Sequence, residues 1–222
     1  MTKTVKRIDN FQMIGERFIV FFTKGLEHIC EKEIRNNFPS VSIQYSSDKY
    51  IIFTVQSISL SKLVKLKTVD DVHFLLEYFK DIEDLNENFI LENIPFITFN
   101  YTINFLQNLR RLDNTFSVTL SKYKNNNINR ESLKNKIVKQ IINLTKRTYT
   151  EFDHSNFDLR IHIESSNVIY SCRIPKKSLH TRSYRKCEMK GALKPPIAAS
   201  SSMLINPIKG KKLVDNFCGT IL

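Results

Sequence analysis

The first regular stretch of the chain is Phe18-Ile19-Val20-Phe21-Phe22, an unbroken apolar run that stops at Thr23-Lys24-Gly25. A run with no polar alternation, bounded by a turn signal, predicts a strand buried on both faces. Leu26, Ile29, Cys30, Glu33 and Ile34 then recur at helical spacing, and Phe38-Pro39 closes the pattern. Two short runs follow, Val41 to Tyr45 and Tyr50 to Val55, joined by the turn-forming Ser46-Ser47-Asp48-Lys49. Such runs around a polar turn predict paired strands. A shorter helix is expected over Leu60 to Leu66 and a last strand over Val72 to Tyr78. The predicted order is therefore strand, helix, strand, strand, helix, strand, which is the ferredoxin-like arrangement.

Asp81-Ile82-Glu83-Asp84-Leu85-Asn86-Glu87 has weak patterning and reads as a solvated linker, so a domain boundary is expected there. From Pro95 the period becomes helical, with Phe99, Ile103, Leu106 and Leu109 or Arg110 on one stripe. Phe116 to Leu120 alternates as a half-buried strand and leads through Lys122-Tyr123-Lys124 to an Asn125-Asn126-Asn127 loop. Asn129 is placed to cap a helix with Leu133, Ile137, Ile141 and Leu144 inward and Lys134, Lys136 and Lys139 outward. Leu159 to Ile163 and Val168 to Ile174, turning at Ser165-Ser166-Asn167, predict a hairpin. Lys194-Pro195-Pro196-Ile197-Ala198-Ala199 predicts a helix with proline in its first turn.

Charge changes this picture more than composition does. The net charge is +12, yet residues 1–111 hold 14 Lys plus Arg against 14 Asp plus Glu, while residues 112–222 hold 20 against 8. The whole excess lies in the second half, which points to a polyanion partner. A lysine-rich surface from a biased genome would also raise the total, but it would act on both halves. Cys30, Cys172, Cys187 and Cys218 form no C-x-x-C pair, which argues against a zinc site or a disulfide framework. No apolar run approaches the ~20 residues that span a bilayer, and the N-terminus has no secretory pattern. The expected location is the cytoplasm, with no membrane partner.

Two clues stand in fixed order near the C-terminus. The first is the basic run Ser178 to Lys186, which carries His180, Arg182, Tyr184 and Arg185. His180 has no serine, cysteine or carboxylate motif beside it, so an orienting role fits it better than catalysis. The second is Leu213-Val214-Asp215-Asn216-Phe217-Cys218-Gly219, an apolar run ending in an acid and a glycine. In a parallel sheet such an end meets a ligand; in a surface loop the same pair is an ordinary turn.

Leu179-His180-x-Arg182-x-Tyr184-Arg185, then Leu193-Lys194-Pro195, then Asp215-x-Phe217-Cys218-Gly219 together resemble the THUMP-containing class I RNA methyltransferases that modify guanine N2 in tRNA or ribosomal RNA. The resemblance implies an α+β chain in four parts. These are a tail over 1–15, an N-terminal ferredoxin-like domain over 16–80 and an α/β THUMP domain over 81–177. The fourth, over 178–222, holds a linker, a helix and the first strand of a Rossmann-like methyltransferase domain. It implies S-adenosylmethionine as the family's cofactor, with Asp215, Phe217, Cys218 and Gly219 at its site. Asn216 replaces the family's proline and two residues are missing after Gly219, so this chain alone is not expected to bind the cofactor. The family's catalytic Asn/Asp-Pro-Pro-Tyr/Phe motif is absent, so no catalytic residue is assigned and the chain alone is expected to be inactive.

The expected partner is a structured RNA, tRNA or rRNA, without DNA specificity. Its contacts are expected at Lys122, Lys124, Lys146, Arg147, Lys176, Lys177, Arg182, Arg185 and Lys186. Tyr184 either stacks on an unpaired base or belongs to the core. A non-catalytic RNA-binding adaptor is the alternative to an enzyme's RNA-holding half. A 4-thiouridine synthetase would need a Ser-Gly-Gly-x-Asp loop that the sequence lacks.

Overall fold

A computed structural model describes residues 6–7, 16–56, 60–107, 113–122, 128–151, 155, 157–182, 184, 191–206, 210, 212 and 214. Internal contacts divide the chain into two compact units. One comprises Met1–Arg17 with His73–Ile174, the other Phe18–Val72 with Pro175–Leu222. The chain passes between them inside two of its strands, β2 (Glu16–Phe21) and β5 (Asp71–Lys80). The two-residue β1 (Lys6–Arg7) precedes them.

In the unit built on Phe18–Val72, β2 runs into the turn at Gly25, whose φ of +94 is open to glycine at no steric cost. Helix α1 (Glu27–Asn37) follows, burying Cys30, Glu33 and Ile34. Strands β3 (Ser42–Ser46) and β4 (Tyr50–Val55) pair antiparallel, and β4 is flanked by β2 on its other side. Phe18, Ile19 and Val20 are fully buried, as an unbroken apolar strand should be. Phe53 closes this core, with ring centroids 5.8 Å from Phe18 and 6.3 Å from Phe38. Burial pushes the Cys30 thiol up to about 12, so it is a core residue rather than a nucleophile.

Helix α2 (Leu60–Leu63) is shorter than the expected Leu60 to Leu66. After it the bonds tighten to i→i+3, Lys65 N–H to Lys62 O and Leu66 N–H to Leu63 O. Beyond it the peptides from Leu66 to Val69 turn to side chains, Glu33, Arg182 and Cys30, while the Asp70 N–H donates to Phe21 O. α6 (Pro195–Ile205) packs against α1, with Lys194 at its N-cap and prolines in its first turn, as expected.

The unit built on His73–Ile174 carries the alternating segments. Acidic residues 81–87, read from sequence as a linker, lead into α3 (Glu87–Glu92), with Asn86 accepting the Phe89 N–H as N-cap. Next come α4 (Phe96–Gln107), β6 (Thr115–Lys122) and α5 (Arg130–Thr145). The short β7 (Thr148–Tyr149) and the hairpin β8 (Asp158–Glu164) and β9 (Asn167–Arg173) complete it. The strand order here is β5-β9-β8-β6-β7, with β1 also on β5; β6 pairs parallel with β8 through the α5 crossover. Phe99, Phe116, Phe157 and Ile141 are fully buried, and the Tyr170 hydroxyl donates to Ile90 O at 2.8 Å. Asn129 caps α5 through the Glu131 and Ser132 N–H groups, as its sequence position predicts. Leu133, Ile137 and Ile141 point inward as expected, but Leu144 is 61% exposed.

Among the described residues, no helix is long and apolar enough to cross a membrane. Nor do three His, Cys, Asp or Glu side chains converge as metal ligands among them.

Candidate nucleic-acid interface

Helix α5 ends on a lysine in the left-handed region. Lys146 has φ 58, donates its N–H to Ile142 O at 2.9 Å and accepts the Asn114 amide on its own carbonyl. Its side chain is exposed and makes no ion pair among the described residues. Arg147 is half-buried and donates to Asp113 O at 3.3 Å. Burial holds its guanidinium below the usual value, with the Asp113 charge opposing that shift. Lys122 lies opposite Ile163 in the β6–β8 register. Lys124 lies outside the described residues.

Two of the outward lysines of α5, Lys134 and Lys136, meet carboxylates. Lys136 sits 2.6 Å from Glu87, which holds the Glu87 carboxyl below its ordinary value. Glu87 also accepts the Asn129 N–H, so the acidic segment fastens α3 to the start of α5.

Beside that start, a groove of about 600 Å³ is lined by Val118, Thr119, Leu120, Arg130, Glu131, Lys134 and Arg160. Its cations are already engaged. Arg130 donates to Leu120 O at 2.6 Å, and Arg160 bonds Asp158 at 2.6 Å, a carboxylate that also accepts the Ser117 and Thr119 hydroxyls. Lys134 lies over the Tyr149 ring at 5.6 Å and 3.7 Å from Glu151; the Tyr149 hydrogen bond is the main cause raising its pKa. Arg130 and Arg160 were not singled out from sequence. The alternation of β8 places Arg160 off the inward-facing set Leu159, Ile161 and Ile163, and that was the signal available.

In the other unit, the segment leaving β9 carries Lys176 and Lys177, both exposed and neither ion-paired among the described residues. Beyond them the chain is held by the Leu66–Asp70 turn. The Ser178 hydroxyl and the His180 N–H both donate to Asp70 O, at 2.8 and 3.0 Å, and Leu179 is buried. With the only Ser178 hydroxyl proton given to Asp70, the 2.8 Å contact between Ser178 Oγ and His180 Nδ1 has Nδ1–H as the donor. His180 is exposed, and Ser178 holds its ring at Nδ1.

Arg182 uses one terminal nitrogen for three carbonyls: Leu66 O at 2.8 Å, Lys67 O at 3.2 Å and Val69 O at 3.4 Å. Burial holds its guanidinium below the usual value, and the nearby Tyr184, Glu33 and Asp70 groups oppose that. From the opposite side Glu33 of α1 accepts the Lys67 N–H at 2.8 Å, the Thr68 N–H at 2.9 Å and the Thr68 hydroxyl at 2.6 Å. Tyr184 is 59% exposed, which removes the core alternative for it. Arg185, Lys186, Asp215, Phe217, Cys218 and Gly219 lie outside the described residues.

Comparison with known proteins finds a family match over one part of this arrangement. Residues 105–169 match the THUMP domain, a stretch that runs from the end of α4 through β6, α5 and β8 into β9. No curated protein matches the chain. Among solved structures, TrmN from Thermus thermophilus is similar, at 11% identity and a TM-score of 0.61, over 86% of this chain and 54% of that one. A Listeria monocytogenes protein described by prediction as an N6-adenine-specific DNA methylase is similar at 18% identity and a TM-score of 0.61, over 86% and 48%. SMU.472, described by prediction as a methyltransferase and solved with SAH, is similar at 17% identity and a TM-score of 0.60, over 90% and 51%. The chain therefore shares their fold and spans about half the length of each.

Proposed function

We propose that this chain is the RNA-holding half of an S-adenosylmethionine-dependent RNA methyltransferase acting on guanine N2. The observation that carries the reading is the match to the THUMP domain over residues 105–169, nearly all of it in the half of the chain that holds the entire positive excess. Fold similarity to solved methyltransferases supports the enzyme class. The element order β2-α1-β3-β4-α2-β5 is compatible with a ferredoxin-like domain ahead of the THUMP domain.

In this reading a structured RNA, tRNA or rRNA, contacts Lys146 in one unit and Lys176 and Lys177 in the other; the ammonium groups of all three are exposed and have no carboxylate partner among the described residues. Arg147 lends its remaining donors at the end of α5, and Lys122, Lys124, Arg185 and Lys186 extend the positive field. Tyr184 offers an exposed ring for an unpaired base. Catalysis and the S-adenosylmethionine site belong to a Rossmann-like part that begins at Asp215, Phe217, Cys218 and Gly219.

The test is RNA affinity as a function of salt. Each phosphate neutralised contributes about 0.7 to 0.9 to the slope of log K against log salt. Replacing Lys176 and Lys177 together with Ala is expected to weaken binding of a tRNA-sized RNA and lower that slope by about 1 to 2. Unchanged affinity and slope in the double variant would remove these lysines from the interface.

A further inference from the structure

We infer that Arg182 is a positioning residue, not a phosphate contact: with Glu33 it clasps the Leu66–Asp70 turn and thereby fixes the segment that carries Lys176, Lys177 and Tyr184. The inference rests on the RNA-binding reading for its consequence, but not for the clasp itself.

The geometry is specific at the level of single peptide groups. In the Leu66–Lys67 peptide, the carbonyl accepts from Arg182 and the N–H donates to Glu33. In the Lys67–Thr68 peptide the same holds, the carbonyl facing Arg182 and the N–H facing Glu33. Two consecutive peptide dipoles thus stand between a guanidinium and a carboxylate, each oriented to stabilise both charges. Hydrogen bonds to ionised groups are stronger than neutral ones, and polarised chains of them reinforce each other.

Glu33 is only 6% exposed. The carboxylate is therefore satisfied through the turn rather than by a direct ion pair, and removing Arg182 weakens both ends of the relay. A phosphate reaching the bonded nitrogen of Arg182 would compete with three carbonyls at once. The same turn receives the Ser178 hydroxyl and the His180 N–H on Asp70 O, and the Thr23 hydroxyl on the Asp70 carboxylate. Residues 178–182 are laid along it at three points, Ser178, His180 and Arg182. Arginine in a basic run ordinarily serves phosphate; here its charge is spent on the backbone so that its neighbours are presented in one place.

Hydrogen exchange on the intact, RNA-free chain tests the clasp directly. Arg182→Ala is expected to speed exchange at the Lys67 and Thr68 amides by about tenfold or more, although Arg182 bonds neither N–H. Arg182→Lys is expected to restore much of the protection, because a single nitrogen makes all three bonds. RNA binding supplies the second readout. Glu33→Gln makes the chain one unit more positive, so charge alone predicts tighter binding, whereas loss of the clasp predicts weaker binding with the salt slope kept.

Fast exchange in Arg182→Ala and weaker binding by Glu33→Gln would support the inference. Unaltered exchange at residues 67–68 in Arg182→Ala, or tighter binding by Glu33→Gln, would overturn it. Failure of the wild-type chain to bind RNA at all would remove the RNA reading while the exchange result still decided the clasp.

Discussion

Lys146 occupies a backbone conformation, φ 58 at the end of α5, that costs a side chain roughly 1 kcal/mol and that glycine adopts freely. Its exposed ammonium is one of the proposed RNA contacts, so stability and binding should separate at this position. Lys146→Gly is expected to raise the unfolding free energy by about 0.5 to 1 kcal/mol, measured as a shift in urea midpoint, while weakening RNA binding. A variant that lost both would show that the lysine side chain also supports the fold. The residue scale is also where sequence was least informative about Arg182. Its motif marks it as basic and spaced like its neighbours, but its partners are carbonyls more than a hundred residues earlier in the chain. Nothing local distinguishes an arginine that will meet phosphate from one that will meet backbone.

Elements with a sustained period were read correctly because their periodicity is the physical reason they form. The Phe18–Phe22 strand, α1 with Cys30, Glu33 and Ile34 inward, the β8–β9 hairpin and α5 with its Asn129 cap all follow from pattern and turn chemistry. The failures are end effects and tertiary effects. α2 stops early because the peptides after Leu66 are taken by Glu33 and Arg182. The acidic segment leads straight into α3, which Asn86 caps and whose first residue, Glu87, finds Lys136 and Asn129. Leu144 continues the helical stripe but is exposed. The difference between stripe and core has a measurable cost. Ile141→Ala, at a fully buried site, is expected to lose about 2 to 5 kcal/mol, whereas Leu144→Ala should lose no more than about 0.5 kcal/mol. Equal losses in a denaturant titration would mean that α5 buries its last turn after all.

At the scale of the whole molecule, the uneven charge was the most legible functional signal, and the fold refines it by sorting cations according to what already holds them. Lys134, Lys136 and Arg160 face carboxylates; Arg130, Arg147 and Arg182 face backbone carbonyls; Lys146, Lys176 and Lys177 face solvent. Counting charge along a sequence cannot make that distinction, because the partners are supplied by other elements. The most direct measurement of where a polyanion docks is therefore lysine footprinting, with an amine-acetylating reagent applied to the intact chain with and without a tRNA-sized RNA. The account predicts protection of Lys146, Lys176 and Lys177 on RNA binding, with Lys134 and Lys136 little changed. Protection confined to lysines such as Lys24 and Lys62, with those three still fully reactive, would contradict it.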